Sequence, residues 1–314
     1  MKAYTIHEAG GVENLRVEEL PAPLVGEEDV LIQVKAIGIN PIDVKTRSGK
    51  GLFNLLKNES PLILGWDVAG VIVETGKRVT RVRKGDEVFG MINFPGHGKA
   101  YAEYVAAPAS HLAVKPANIS FPEAAASSLA ALTAWQALHA FSPVQKGQRV
   151  LVHAAAGGVG HFAVQMAKTM DAWVAGTSSS KNKDFILSLG ADVHIDYEAA
   201  PLRTQTRDVD FVLDTIGGST IDSSLEVMKK GAVIVSIPSG SNEMVAEKAK
   251  AAGMQGHTFK VSSNGSDMRS IADLLTKGAL KPHVSHIFSF QEMRDAHDRM
   301  ETGRTRGKLI VSVP

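Results

Sequence analysis

Residues 150–160 read Val-Leu-Val-His-Ala-Ala-Ala-Gly-Gly-Val-Gly and run straight into Phe162-Ala-Val-Gln-Met-Ala-Lys168. An apolar run that meets a glycine-rich corner and continues with helical periodicity predicts a buried strand turning into an amphipathic helix. A second apolar run at 172–176 closes a strand-helix-strand unit, which needs a right-handed crossover in a parallel sheet. The corner itself reads Ala155-x-Gly157-x-x-Gly160, with alanine where the first glycine of G-x-G-x-x-G would stand. Gly157 lets backbone approach a ligand and Gly160 lets the helix pack on the strand. The N–H groups of Gly158, Val159 and Gly160 at the helix start supply partial positive charge. The corner therefore suits a pyrophosphate; a tight turn without a ligand is the other reading.

The same rhythm continues along the chain. Strands are expected at 149–153, 172–176, 193–196, 210–214 and 232–237, with helices at 159–170, 181–189 and 221–229 between them, then a strand at 258–261 and a helix at 266–276. This predicts an α/β fold with a doubly wound parallel sheet of the Rossmann type. Before residue 118 the pattern is different: short apolar runs such as 30–37, 69–74 and 86–90, broken by Gly, Pro and charged turns, which read as strands. Ser120-Phe-Pro-Glu123 is a capping box ahead of a long Ala/Leu-rich helix at 124–141. A chain of 314 residues exceeds the size at which one core usually stops growing. Two domains are expected, one at 1–118 completed by residues from about 280 to 314, the other at 119–279.

Composition removes several function classes. With 34 basic and 33 acidic side chains and no long run of one sign, the electrostatic footprint of a nucleic-acid partner is missing. No apolar stretch is long enough for a membrane span, and the first residues read as a strand rather than a secretory leader, so a cytoplasmic protein without membrane partners is expected. The absence of cysteine excludes thiolate metal sites and thiol nucleophiles. At the end of the second strand, Gly176-Thr-Ser-Ser-Ser-Lys-Asn-Lys183 offers four hydroxyls and two ammonium groups, and no carboxylate falls between Asp171 and Asp184. A sheet of this type that prefers NAD ends that strand in an acidic residue for the ribose hydroxyls. Thr177, Ser178, Ser179 and Lys183 suit a 2′-phosphate instead, so the expected cofactor is NADPH. An ordinary serine-rich surface loop is the alternative.

A wider set of motifs now comes together: Asn40-Pro-Ile-Asp43, Leu64-Gly-Trp-Asp-Val-Ala-Gly70, Gly85-Asp-Glu-Val88, Tyr101-Ala-Glu-Tyr104, Leu132-Thr-Ala-Trp135 and the glycine corner. In this order they resemble the medium-chain dehydrogenase/reductase superfamily, and within it the zinc-free quinone oxidoreductases and enone reductases. The resemblance implies a GroES-like, β-barrel-type N-terminal domain beside the Rossmann domain. Zinc-dependent members carry a metal-binding cysteine near Asn40 and a Gly-His-Glu motif; here Asn40 and Gly65-Trp66-Asp67 stand in those places.

The resemblance implies direct hydride transfer from NADPH to a quinone or to the alkene of an α,β-unsaturated carbonyl, with no metal. Its catalytic candidates are Asn40, Asp43 and Lys45, in a stretch similar to the Asn-Pro-x-Asp-x-Lys-x-Arg-x-Gly of enone and alkenal reductases. Lys45 would set a positive charge beside a developing oxyanion and Asn40 would donate a hydrogen bond. The residues alone also allow Asn40 closing a turn, Asp43 capping it and Lys45 standing in solvent. On the cofactor side the matching positions are Thr133, Ala155, Gly157, Gly158, Val159, Gly160, Thr177, Ser178, Ser179, Lys183, Tyr197 and Ser236-Ile237-Pro238. Thr133 and Ile237 are equally readable as packing residues. Arg304, Arg306 and Lys308 form a basic cluster near the end of the chain, readable as a phosphate contact or as a charged hairpin. Gly96-His97-Gly98 reads as a mobile element, and the edge strand at 258–261 as the seam of a homodimer. Two other functions are open: a zinc-free reductase of saturated carbonyls, and a non-catalytic protein that senses NADPH or is structural.

Overall fold

Strand alternation between small and β-branched residues governs the N-terminal part of the computed structural model, which describes residues 1–314. The chain begins with β1 (Lys2–Ile6), β2 (Arg16–Glu19) and the eleven-residue β3 (Asp29–Ile39), followed by the short helices α1 (Pro41–Arg47) and α2 (Phe53–Leu56). Strands β4 (Leu62–Ile63), β5 (Asp67–Thr75), β6 (Glu87–Met91), β7 (Tyr104–Pro108) and β8 (Ala113–Val114) come next. The capping box forms as expected, with Ser120 Oγ accepting from Glu123 N at the start of α3 (Phe121–Ala126).

One long helix was expected here, and two are found, because the buried hydroxyls of Ser127 and Ser128 donate back to the carbonyls of Glu123 and Ala124. Competing side-chain bonds of this kind end a helix. The next helix, α4 (Leu129–His139), starts where Leu129 N donates to Asp67 Oδ1 at 2.7 Å.

After α4 strands and helices alternate as the sequence predicts, with two further short helices at 202–205 and 245–251. The alternation comprises β9 (Arg149–Val152), α5 (Gly160–Thr169), β10 (Trp173–Ser178), α6 (Lys183–Ser188), β11 (Val193–Asp196), α7 (Leu202–Gln205), β12 (Val209–Asp214), α8 (Ser219–Leu225), β13 (Met228–Ser236), α9 (Val245–Ala251) and β14 (Gln255–Thr258). The six strands lie in the order β11-β10-β9-β12-β13-β14, all parallel, so the order reverses beside β9. This is the doubly wound Rossmann arrangement, in which ligands bind at the carboxyl ends of the strands near that reversal. Leu151, Val212 and Ile234, on three of its four interior strands, are fully buried, each contributing about 1.5–3 kcal/mol of burial energy.

The last strand of this sheet corrects the sequence reading. It runs over Gln255–Thr258 rather than 258–261, paired from Val233↔Gln255 to Ser236↔Thr258. Gly256 sets this register, because a Cβ there would stand 2.3 Å from Val245 O and 2.7 Å from Ala249 Cβ on α9. An edge strand spelled Gln-Gly-His-Thr has no apolar alternation to betray it.

The chain then forms α10 (Gly265–Thr276), β15 (Val284–Ser289), α11 (Met293–Glu301) and β16 (Lys308–Ser312). Strand β16 pairs antiparallel with the end of β3, so the C-terminal strands complete the N-terminal sheet β15-β16-β3-β5-β6-β8, with β7 pairing the start of β3 on the same edge, opposite β5. The two compact units are Met1–Leu132 with Val261–Gly278 and Pro282–Pro314, and Thr133–Lys260 with Ala279–Lys281. The division thus falls inside α4 rather than at 118, and α10 belongs to the N-terminal unit. Gly265 explains the latter, since it lies against the backbone carbonyls of Ser110 and Leu112 too closely for any side chain. No helix is long and apolar enough to cross a membrane.

Candidate active site

The glycine corner of the Rossmann unit is assembled from both sides. Ala154 takes a positive φ of 44°, Gly157 N donates to Ala154 O at 2.8 Å, and Ala155 N donates to Thr177 O at 2.9 Å. A Cβ on Gly160 would sit 2.2 Å from Ala154 O and 2.7 Å from Ala155 Cα, so only glycine lets α5 start this close to the turn. Gly176 on β10 does the same for Ala155, whose Cβ would be 2.7 Å from any added methyl. Helix α5 is entered from Val159 with no side-chain cap, and Gly157, Gly158 and Val159 remain half-exposed. Uncapped N–H groups at an accessible helix start form an anion site, and their donor set fits a pyrophosphate.

Thr177, read as a cofactor ligand, has another task. Its Oγ1 accepts from Ala154 N at 3.2 Å and stands 3.3 Å from His153 Nδ1, holding the corner from behind. His153 is buried, with Nε2 2.8 Å from Ser224 Oγ, and burial holds its pKa below the usual imidazole range. Ser178 Oγ donates to Ser179 O and lies 2.9 Å from His194 Nε2. Lys183 and Tyr197 are exposed and Ser179 is half-buried. Between the ends of β10 and β11 is a cavity of about 340 Å³ lined by Ser180, Lys183, His194, Asp196 and Gln205. Of these, Ser180 and Lys183 belong to the hydroxyl- and lysine-bearing loop read from the sequence. His194 and Asp196 share one face of β11 at strand spacing, which is the pattern that would have revealed them.

At the carboxyl ends of β12 and β13, Asp214 is fully buried and organises the edge. Its carboxylate accepts from Ile216 N, Gly217 N, Thr220 Oγ1 and, at 2.5 Å, Ser236 Oγ. Ser236 therefore spends its hydroxyl inside the protein, and its carbonyl accepts from Asn242 Nδ2 and Phe259 N. This corrects its reading as a ligand: it fixes Ile237 and Pro238, which are half-buried at the sheet edge. Thr133 is buried on α4.

The three catalytic candidates lie in the N-terminal unit, and two of them are structural. Asn40 is 2% exposed; its Nδ2 donates to Asp67 Oδ2 at 2.8 Å and its Oδ1 accepts a short bond from Lys308 Nζ. Lys308 Nζ also donates to Ile39 O at 3.1 Å and to Asp67 Oδ2 at 3.3 Å. Gly38 leaves room for the Asp67 side chain, which would be 2.6 Å from a Cβ there. Burial pushes the Asp67 carboxyl up, while Lys308, Asn40 and the Leu129 N–H draw it back. Asp43 is fully buried, accepts from Asn40 N at 2.7 Å and has its carboxyl pushed up to about 7 by burial. Asn40 and Asp43 are thus parts of the N-terminal turn of α1 and have no free face for a reacting molecule. Lys45, on the same helix, is partly exposed.

The rest of the expected features resolve plainly. Lys308 is buried against Asp67 rather than part of a basic surface cluster, while Arg304 is exposed. Gly96-His97-Gly98 is tied down: Gly96 O accepts from Trp66 Nε1 at 2.8 Å, His97 Nε2 lies 3.0 Å from Ile63 O, and its Nδ1 is 3.2 Å from Glu59. Trp66 is fully buried against Phe94, and no group of three or more His, Asp or Glu side chains converges to hold a metal ion. The donors present do not fit a zinc site.

Comparison with known proteins matches this architecture. Residues 26–117 match the family described as Alcohol dehydrogenase GroES-like domain, and residues 189–311 the family described as Zinc-binding dehydrogenase. The chain is 35% identical over 321 residues to 2-methylene-furan-3-one reductase of Solanum lycopersicum, covering 99% of this chain and 79% of that one. It is 34% identical to the chloroplastic NADPH-dependent alkenal/one oxidoreductase of Arabidopsis thaliana, with the same coverage, 99% and 79%. The solved structure of the quinone oxidoreductase from Coxiella burnetii superposes with a TM-score of 0.95 at 37% identity, covering 100% of this chain and 99% of that one.

Proposed function

The chain belongs to the quinone oxidoreductase and enone reductase branch of the medium-chain dehydrogenase/reductase superfamily, and on that premise we propose that it is an NADPH-dependent reductase of quinones or of activated alkenes. The observation that carries this reading is the uncapped glycine corner followed by a second strand ending in serines and Lys183 with no carboxylate. The backbone of Gly157 to Gly160 would hold the pyrophosphate, and Ser179, Lys183 and Tyr197 the adenosine end. Ile237 and Pro238, held in place by Asp214 and Ser236, would face the nicotinamide. When bound, reduced nicotinamide supplies a hydride to an electron-poor carbon.

The protein's own part is orientation, exclusion of water and stabilisation of the negative charge that develops on the acceptor oxygen. On this reading Lys45, partly exposed on α1, would do the last. Catalysis is independent of zinc, since Asn40 and Trp66 stand where thiolate and imidazole would be needed and Lys308 already neutralises Asp67. An acceptor already polarised, a quinone or an enone, needs no Lewis acid. Strand β14 ends the six-stranded sheet with one edge unpaired, and on this reading two copies join there as a cytoplasmic homodimer.

Steady-state kinetics with NADPH and NADH against a quinone, an enone and a saturated aldehyde test the assignment. The expected outcome is a kcat/KM at least about tenfold higher with NADPH, with the quinone or the enone far ahead of the aldehyde. Equal use of NADH, or preference for the aldehyde, would overturn it.

A further inference from the structure

Arg47, the last residue of α1, takes no part in the chemistry described above, yet it is only 2% exposed. Its carbonyl accepts from Gly10 N at 3.0 Å. Its Nη2 donates to Glu301 at the end of α11, and no protein group accepts from its Nε or Nη1. Glu301 is therefore the one protein partner of a buried guanidinium, and at 43% side-chain exposure it is the half of the pair that can be altered without opening the core. A buried charge with a single partner depends on that partner for its place.

The pair joins two helix faces. Asp43 and Arg47 stand one turn apart on the buried face of α1, and His297 and Glu301 one turn apart on the face of α11 that packs against it. Helix α11 is itself anchored before it reaches Glu301. Arg294 donates from Nε and Nη2 to Leu15 O at 3.0 and 2.7 Å. His297 is fully buried with Nε2 2.9 Å from Tyr101 OH, and the Tyr101 ring fills the space left by Gly65, where a Cβ would stand 2.3 Å from it. At the other end of α1, Asn40 N donates to Asp43 and Asn40 Nδ2 to Asp67. A helix of seven residues is too short to hold itself, so these two attachments set its position. Lys45 lies between them, two positions from Asp43 and two from Arg47, and so on a different face of the helix.

We propose that Arg47 and Glu301 are a positioning pair for the reduction: they pin the last turn of α1 to α11 and thereby aim Lys45 at the oxygen on which negative charge develops, without touching the acceptor themselves. The proposal rests on the reading of Lys45 given above and extends it. Release of this pin leaves α1 attached only at its N-terminal turn. A cation that is then less well placed loses most where the charge is greatest, in the transition state, so the loss falls on kcat. NADPH, held by the Rossmann unit, is bound as before.

A double-mutant cycle with an enone as acceptor tests this, combining Glu301→Ala with Lys45→Met. Glu301→Ala alone should lower kcat about three- to tenfold and leave the KM for NADPH within about twofold of wild type. Added to Lys45→Met, it should change kcat by less than about twofold, because the group it positions is already gone. An equal loss of kcat in both backgrounds, or no loss in either, overturns the positioning role. A wild-type kcat in Lys45→Met alone overturns instead the reading of Lys45 on which the proposal rests. Circular dichroism shows whether each variant is folded. Should Glu301→Ala not fold, Glu301→Gln, which keeps a neutral acceptor for Arg47, enters the same cycle with the same pattern expected and the same outcomes counting against it.

Discussion

At the scale of single residues, the largest surprise is that Lys308, Asp67, Asn40 and Asp43 form one buried polar cluster. Breaking such a pair by removing one partner typically costs about 3–5 kcal/mol, because the other charge stays buried. The cluster was invisible in the sequence because Lys308 and Asn40 are 268 positions apart, and a lone lysine near a chain end is ordinarily solvated. What the sequence did offer, the alternative that Asn40 and Asp43 shape a turn, is the reading the hydrogen bonds support. Asp43 also has a thermodynamic signature. Its carboxyl is raised from 3.8 to about 7, so the folded state holds a proton that the unfolded chain has released, and stability falls as the pH rises from about 4 to about 7. Burial pushes the His297 imidazole down from 6.5 to about 3, so its contribution has the opposite slope and is lost as the pH falls below about 6.5. Asp43→Asn keeps an oxygen for Asn40 N but removes the titration. The difference in Tm between this variant and the wild type is expected to grow in the variant's favour from pH 4 to pH 7 and then level off. Scanning calorimetry across that range would show it, and a difference independent of pH would contradict the assigned burial.

Among the elements, the corner between β9 and α5 was the most legible, because three constraints converge on it: strand periodicity, helix periodicity and glycines where backbone must meet backbone. Gly160 is the position where the argument is sharpest. Gly160→Ala places a methyl 2.2 Å from Ala154 O, and only a shift of the corner or of α5 relieves it. Overpacking of this kind costs about 1–3 kcal/mol. The displaced N–H groups should cost the protein about tenfold or more in NADPH affinity. Fluorescence titration of the cofactor measures this, with circular dichroism to show that the fold persists; wild-type affinity in a folded variant would mean the corner is not the phosphate site. Other elements were hidden for identifiable reasons. The break between α3 and α4 depends on Ser127, Ser128 and the distant Asp67, which a run of alanines and leucines masks. Strand β14 lacks apolar alternation because it lies at a sheet edge, and α10 gives no sign in its own residues that it packs on the N-terminal unit.

For the whole molecule, the ordered motifs across both units fixed the family more firmly than any one of them, and sheet order and structural likeness agree with it. The central claim is a reaction: a phosphorylated nicotinamide gives its hydride to an electron-poor carbon in a protein whose own side chains take the place of a metal. The most direct measurement uses enzyme treated with a strong chelator, an enone, and NADPH deuterated at C4 on one face or the other. Product analysis by NMR should find deuterium on the carbon β to the carbonyl from one face only, at a rate the chelator does not change. Loss of the label to water from both faces, or turnover that vanishes on chelation and returns with zinc, would contradict the account.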